Sequence, residues 1–78
     1  MDDDIITKDL MDAIGSIVNI DDNVTRNTQI ASISGWDSLA TVNISIIIEE
    51  NFRVKIPLNL MTRFETIGHI SDHIISNI

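Results

Sequence analysis

An all-α fold, a small three- to four-helix bundle with a long loop between its first two main helices, is what this sequence predicts. Three observations predict it. Residues 4–18, 38–52 and 66–78 carry apolar side chains at helical spacing. The single stretch with period-two alternation, residues 52–56, has no second strand to pair with, and a lone strand is not stable. Residues 19–35, between the first two helical segments, are rich in Asp, Asn, Ser and Gly, which favour turns.

Residues 4–18 read as the first helix. Ile6, Leu10, Ile14 and Ile17 with Val18 give one apolar face, and Asp2, Asp3 and Asp4 stand at the positive end of the helix dipole. Gly15 lies inside this span at a cost of about 1 kcal/mol relative to Ala, which close helix packing could explain. In the loop that follows, Ile20, Val24, Ile30 and Ile33 are expected to peg the chain back onto the helices. A connection of this length is uncommon in so small a domain unless it has a role.

Residues 38–52 form the second helix. Ile44, Ile48 and Phe52 share one stripe, with Ile47 beside it, and are assigned to the core. Leu39, Val42 and Ile46 make a second stripe on another side. A helix apolar on two sides is either central in its bundle or shows one side to a partner. Full enclosure is difficult in a chain this short, so the second stripe is expected to face a partner. Residues 52–56 then read as an extended connection, since Pro57 keeps Ile56 out of helical angles. Residues 58–64 fit a turn or short third helix with Leu60, Met61 and Phe64 inward. The last helix, 66–78, has Ile67, Ile70, Ile74 and Ile78 as its inner stripe and Glu65 or Thr66 as its cap.

The 78 residues suffice for one domain, whose net stability should be small, on the order of 3–5 kcal/mol. There is no cysteine, so neither a disulfide framework nor a thiolate metal site is available. The net charge is −7, which disfavours nucleic acid and anionic membranes as partners. Residues 1–50 hold ten acids against two bases, and an acidic front half of this kind can steer a protein to basic surfaces. No apolar run approaches the ~20 residues of a membrane span, and the acidic start has the wrong sign for a secretory signal. A soluble, monomeric, cytoplasmic protein is expected.

Chemistry concentrates at Gly35-Trp36-Asp37-Ser38-Leu39-Ala40. Asp37 suits the N-cap of the second helix, because its carboxylate can accept from free N–H groups of the first turn. Ser38 then stands at the helix start, where unpaired N–H groups and the positive dipole end would stabilise a phosphate joined to its hydroxyl. A serine also occurs at many helix starts simply because it caps well.

Asp37-Ser38-Leu39, followed by Thr41-Val42, Glu49-Glu50-Asn51-Phe52 and Ile56-Pro57, resembles the acyl carrier protein family in length and element order over nearly the whole chain. The Gly-Trp-Asp-Ser-Leu-Ala version resembles free-standing carriers of specialised pathways more than the main fatty-acid carrier. The resemblance implies a 4'-phosphopantetheine arm joined to Ser38 through a phosphodiester, with Trp36, Asp37 and Leu39 around it. The cargo would be an acyl or aminoacyl thioester. It implies as partners a phosphopantetheinyl transferase, an acyl- or aminoacyl-activating ligase and acyl-transferring or synthase enzymes. Leu39, Val42, Ile46, Glu49 and Glu50 would meet them. Trp36 is expected to be partly buried, between anchoring the long loop and lying beside the arm. Fatty-acid carriers of the family usually have acidic residues soon after Asp-Ser-Leu. Here Ala40 and Asn43 are neutral, which weakens charge steering and points to a dedicated pathway.

Other chemistries fit less well. The Asp21-Asp22-Asn23 cluster lacks EF-hand spacing and its terminal Glu. His69 and His73, four apart with Asp72 adjacent, lack a third zinc ligand and the Glu of the metalloprotease helix. Ser38, a histidine and Asp72 make a triad only on paper, without a Gly-x-Ser-x-Gly elbow and with little room for a cleft. No catalytic role is assigned. The competing class is a non-covalent helical interaction module that keeps the carrier fold.

Overall fold

The computed structural model describes residues 3–78. Among the described residues, four α-helices follow one another: α1 (Asp3–Gly15), α2 (Ser38–Phe52), α3 (Leu58–Met61) and α4 (Ile67–Asn77). A 3-10 turn, Ile30–Ser32, interrupts the long connection between α1 and α2. α1 packs on both α2 and α4, and α3 packs on α2. The all-α bundle is the fold that the apolar periodicity predicts. Asp2 and the side chains of Asp3 and Asp4, expected at the dipole end of α1, lie outside the described residues.

The core draws one stripe from each long helix. Ile6, Leu10 and Ile14 of α1 meet Ala40, Ile44 and Ile48 of α2 and Ile67, Ile70 and Ile74 of α4. Val18, Ile33, Val54 and Ile56 fill in from the connections and Met61 from α3. Such burial is the dominant favourable term in holding a small bundle together. A part-buried polar pair joins α1 to α4. Ser71 of α4 is fully buried, and its Oγ lies 2.8 Å from Thr7 Oγ1 of α1. Among the described residues, no buried side-chain nitrogen or oxygen lacks a partner, as interiors require.

The ends of the helices differ from what periodicity predicts. α1 stops at Gly15 rather than at residue 18. Ser16 Oγ donates to the Ala13 carbonyl at 2.6 Å, and Ile17 N–H donates to Ile14 O at 2.9 Å, so the chain tightens and leaves the helix axis. Val18 still reaches the core. A Cβ at Gly15 would meet Ile20 at 3.6 Å, an ordinary contact, so close packing does not account for that glycine. Phe52 is half-buried rather than enclosed, because it ends α2 at the rim of the bundle. Ile78 lies past the end of α4 and is 56% exposed, not part of the inner stripe.

The long connection is fastened at both faces. Ile33 is buried, and Ile20, Val24 and Ile30 pack half-buried against the core. Its backbone also pairs with the start of α4. Ile30 N–H donates to Glu65 O at 2.8 Å, Ile67 N–H to Thr28 O at 3.3 Å and Gly68 N–H to Arg26 O at 2.7 Å. Two of the N–H groups that a helix N-terminus leaves without intrahelical acceptors are thereby satisfied by the loop. Thr66 supplies the cap, accepting from His69 N–H at 3.2 Å, while His69 Nδ1 accepts from Thr66 N–H at 3.3 Å. Arg26 further meets Asp72 at 2.8 Å on the surface, where such a pair contributes at most about 1 kcal/mol.

Candidate functional site

The site begins with a turn and a cap. Gly35 adopts a φ of 86°, and Asp37 N–H donates to its carbonyl at 3.1 Å. Asp37 is extended, with φ −107° and ψ −169°, as an N-cap residue must be. Its carboxylate accepts from Ala40 N–H at 2.8 Å, and its carbonyl accepts from Thr41 N–H at 2.9 Å. The first turn of a helix has four N–H groups with no intrahelical acceptor. Those of Asp37 and Ala40 are satisfied. Those of Ser38 and Leu39 remain, and they belong to the exposed serine and its neighbour. An anion on Ser38 Oγ is thus offered backbone donors at the positive dipole end.

Trp36 is fixed beside this turn. Its indole Nε1–H donates to Thr41 Oγ1 at 3.1 Å, and that hydroxyl donates to Asp37 O at 3.0 Å. Trp36 is half-buried and packs against the core, as partial burial of its large ring predicts. An open groove of about 450 Å³ runs from Ser38. Ser38, Thr41 and Val42 of α2 line it, with Trp36 and Asp37 before them and Leu58 and Thr62 across from them.

The second stripe of α2 faces outward. Leu39 is 68% and Ile46 48% exposed, and Val42 between them is half-buried. Glu49 and Glu50 are exposed about three turns beyond Ser38. Ala40 differs from its expected setting. It is only 5% exposed and faces the core, so of the two neutral positions after Asp-Ser-Leu, Asn43 alone is at the surface. Leu58 is the residue that sequence reasoning misses. It is 47% exposed at the groove beside Ser38. Its signal is an apolar residue directly after Pro57, but periodicity is uninformative in a four-residue helix.

The paper triad is not assembled. Neither histidine nor Asp72 lines the groove at Ser38. His69 caps α4, His73 lies against the Phe64 ring at 5.6 Å, and Asp72 pairs with Arg26. Asp21 Oδ1 accepts from Asn23 N–H at 2.9 Å, which closes a turn in the long loop. Among the described residues, no group of three or more His, Asp or Glu side chains is placed to hold a metal ion. No described helix is long and apolar enough to cross a membrane.

A helical bundle with an exposed serine at a capped helix start is the arrangement that a carrier-type domain needs. Residues 8–74 match the protein family described as "Phosphopantetheine attachment site". The chain belongs to that family, the acyl carrier proteins, whose cofactor is 4'-phosphopantetheine. It is also 35% identical over 54 residues to the mitochondrial acyl carrier protein of Saccharomyces cerevisiae. That similarity covers 69% of this chain but 43% of the relative, so the chain spans less than half of the relative's length. The local residues fit the cofactor: an exposed hydroxyl, two backbone N–H donors for the phosphate and an apolar-sided groove alongside.

Proposed function

We propose that this protein is a single carrier unit that holds an acyl or aminoacyl group as a thioester on a phosphopantetheine arm at Ser38. It presents that group to the enzymes of a dedicated pathway. The observation that carries the reading is the setting of Ser38. It is exposed at the first position of α2, with Asp37 capping the helix and the N–H groups of Ser38 and Leu39 left for an anion. The arm supplies the thiol and hence the thioester chemistry. The chain supplies attachment, shielding and recognition, and none of its side chains acts as a catalyst. Tethering raises the effective concentration of cargo at a docked enzyme.

Recognition falls to Leu39, Val42 and Ile46, with Glu49 and Glu50 at the far end of the same helix. The partners are a phosphopantetheinyl transferase, an activating ligase for the acyl or aminoacyl group, and acyl-transferring or synthase enzymes. The low acidity near Ser38 supports a specialised pathway over bulk fatty-acid synthesis.

Incubation with coenzyme A and a broad-specificity phosphopantetheinyl transferase tests the attachment. Intact mass should rise in the natural protein and stay constant in Ser38→Ala. An adduct that persists in the alanine variant would move the attachment elsewhere. A natural protein that takes no adduct would favour the non-covalent module instead.

A further inference from the structure

We infer that Trp36, locked by Thr41, is a partition that limits how long a cargo chain can be sheltered beside Ser38. The inference rests on the attachment proposed above. Two surface grooves lie side by side. One, of about 450 Å³, includes Ser38. The other, of about 520 Å³, includes the apolar side chains of Ile30, Ala31, Met61 and Phe64. Trp36, Thr41 and Thr62 line both grooves. These shared side chains stand where the two grooves adjoin. The indole is the largest of the three, and a hydrogen bond to Thr41 holds it in place.

The hold is specific. Trp36 Nε1–H donates to Thr41 Oγ1 at 3.1 Å, and the Thr41 hydroxyl donates onward to Asp37 O at 3.0 Å. Swinging the ring aside leaves the indole N–H unpaired at a half-buried position, which is unfavourable. Its partial burial against the core adds a packing constraint. With the arm folded back over α2, a short chain on its thiol finds apolar cover from Val42 and Leu58 in the first groove. A longer chain meets the indole before it reaches Met61 and Phe64 in the second, and its end stays in water. The partition therefore selects short cargo.

Loading with butyryl- and octanoyl-coenzyme A through the transferase gives two cargo lengths at Ser38. Thioester cleavage by hydroxylamine, relative to the same acyl group on free pantetheine, reads the sheltering. In the natural protein, butyryl should be protected and octanoyl no better protected. Each methylene withdrawn from water favours the sheltered form about fourfold. Octanoyl should therefore gain at least about fourfold protection in Trp36→Ala, where the grooves merge. Thr41→Val, which frees the indole while keeping the side-chain shape, should give a smaller gain and decides the matter if Trp36→Ala does not fold. Unchanged octanoyl protection in the folded variants overturns the partition, as does a natural protein that already shelters octanoyl better than butyryl or shelters neither. In those cases the adduct at Ser38 still stands. Failure to form any adduct overturns both the attachment and the partition.

Discussion

The backbone N–H of Gly68 donates to the carbonyl of Arg26 at 2.7 Å, and this contact leaves no room for a side chain. A Cβ at position 68 would stand 2.9 Å from the Arg26 oxygen and 2.9 Å from Arg26 Nε. Gly68 is near the start of α4, where helix propensity alone favours alanine by about 1 kcal/mol. The steric term opposes it, at about 1–3 kcal/mol for overpacking against backbone. Gly68→Ala should therefore destabilise the protein and loosen the long connection from α4. Gly15→Ala is the control, because its Cβ meets only the Ile20 side chain at 3.6 Å or beyond. It should be neutral or slightly stabilising. Urea unfolding of the two variants in parallel checks the difference in sign.

A second stability prediction concerns the other end of the site helix. Arg53 ends α2 with φ 59° and ψ 28°, the left-handed conformation, while its N–H donates to Glu49 O at 2.9 Å. Glycine is the usual residue at such a position because it has no Cβ to clash. Left-handed angles cost other residues roughly 1–2 kcal/mol, and glycine recovers most of this less its greater unfolded-state entropy. Arg53→Gly should stabilise the domain by about 0.5–1 kcal/mol. A lower midpoint of thermal unfolding in the variant would contradict the account.

The helix stripes were readable in the sequence because they are periodic and local. Ile44, Ile48, Ile67, Ile70 and Ile74 lie where the 3.6-residue repeat puts them. The repeat fails at its ends, because periodicity does not say where the bundle runs out. Phe52 is only half-buried and Ile78 is exposed for that reason. Contacts between distant segments leave no local trace. The pairing of Gln29 with Thr66 and the part-buried hydrogen bond between Thr7 and Ser71 are of this kind. His69 in a capping box is hidden too, since the usual partner at that place is Glu or Gln. At the site, the Asp37 cap and the helix start at Ser38 were legible because capping is a matter of adjacent residues. The groove was not, because Leu58 and Thr62 are brought to it only by the packing of α3 on α2.

The Asp37 cap yields a prediction that separates folding from modification. Its carboxylate holds Ala40 N–H at 2.8 Å and so fixes the first turn around Ser38. Removing such a cap costs about 0.5–2 kcal/mol. Asp37→Ala should lower stability by that amount and slow transfer of the arm, because the acceptor serine then sits on a fraying turn. Asp37→Asn retains a capping oxygen and should recover most of the stability. Ser38→Ala should fold like the natural protein, since the serine is exposed, and accept no arm. Denaturation midpoints and single-turnover modification rates read the two effects separately. Equal modification rates in Asp37→Ala and the natural protein would remove the first turn from the account of Ser38.

The proposed docking side of α2 can be tested by substitution, and there the burial of Ala40 decides which variant is informative. A glutamate at Ala40 would place a carboxylate at a position only 5% exposed against the core, and an unpaired buried charge is strongly unfavourable. Ala40→Glu should thus unfold or distort the bundle rather than build an acidic docking surface. Asn43 is exposed, so Asn43→Glu adds charge without that cost. Opposed charges chiefly speed encounter and exclude wrong partners. Asn43→Glu should therefore raise the rate at which basic fatty-acid synthase enzymes use the loaded carrier, and added salt should erase the gain as screening shortens to about 8 Å at physiological ionic strength. Ile46→Asp acts in the opposite sense. At 48% exposure Ile46 contributes little to the core, so the variant should keep its unfolding midpoint while losing turnover with its own enzymes. If Ile46→Asp left that turnover intact, Leu39, Val42 and Ile46 would not be the docking stripe. If the unaltered protein served a fatty-acid ketosynthase as efficiently as a housekeeping carrier does, the dedicated pathway would fall with it.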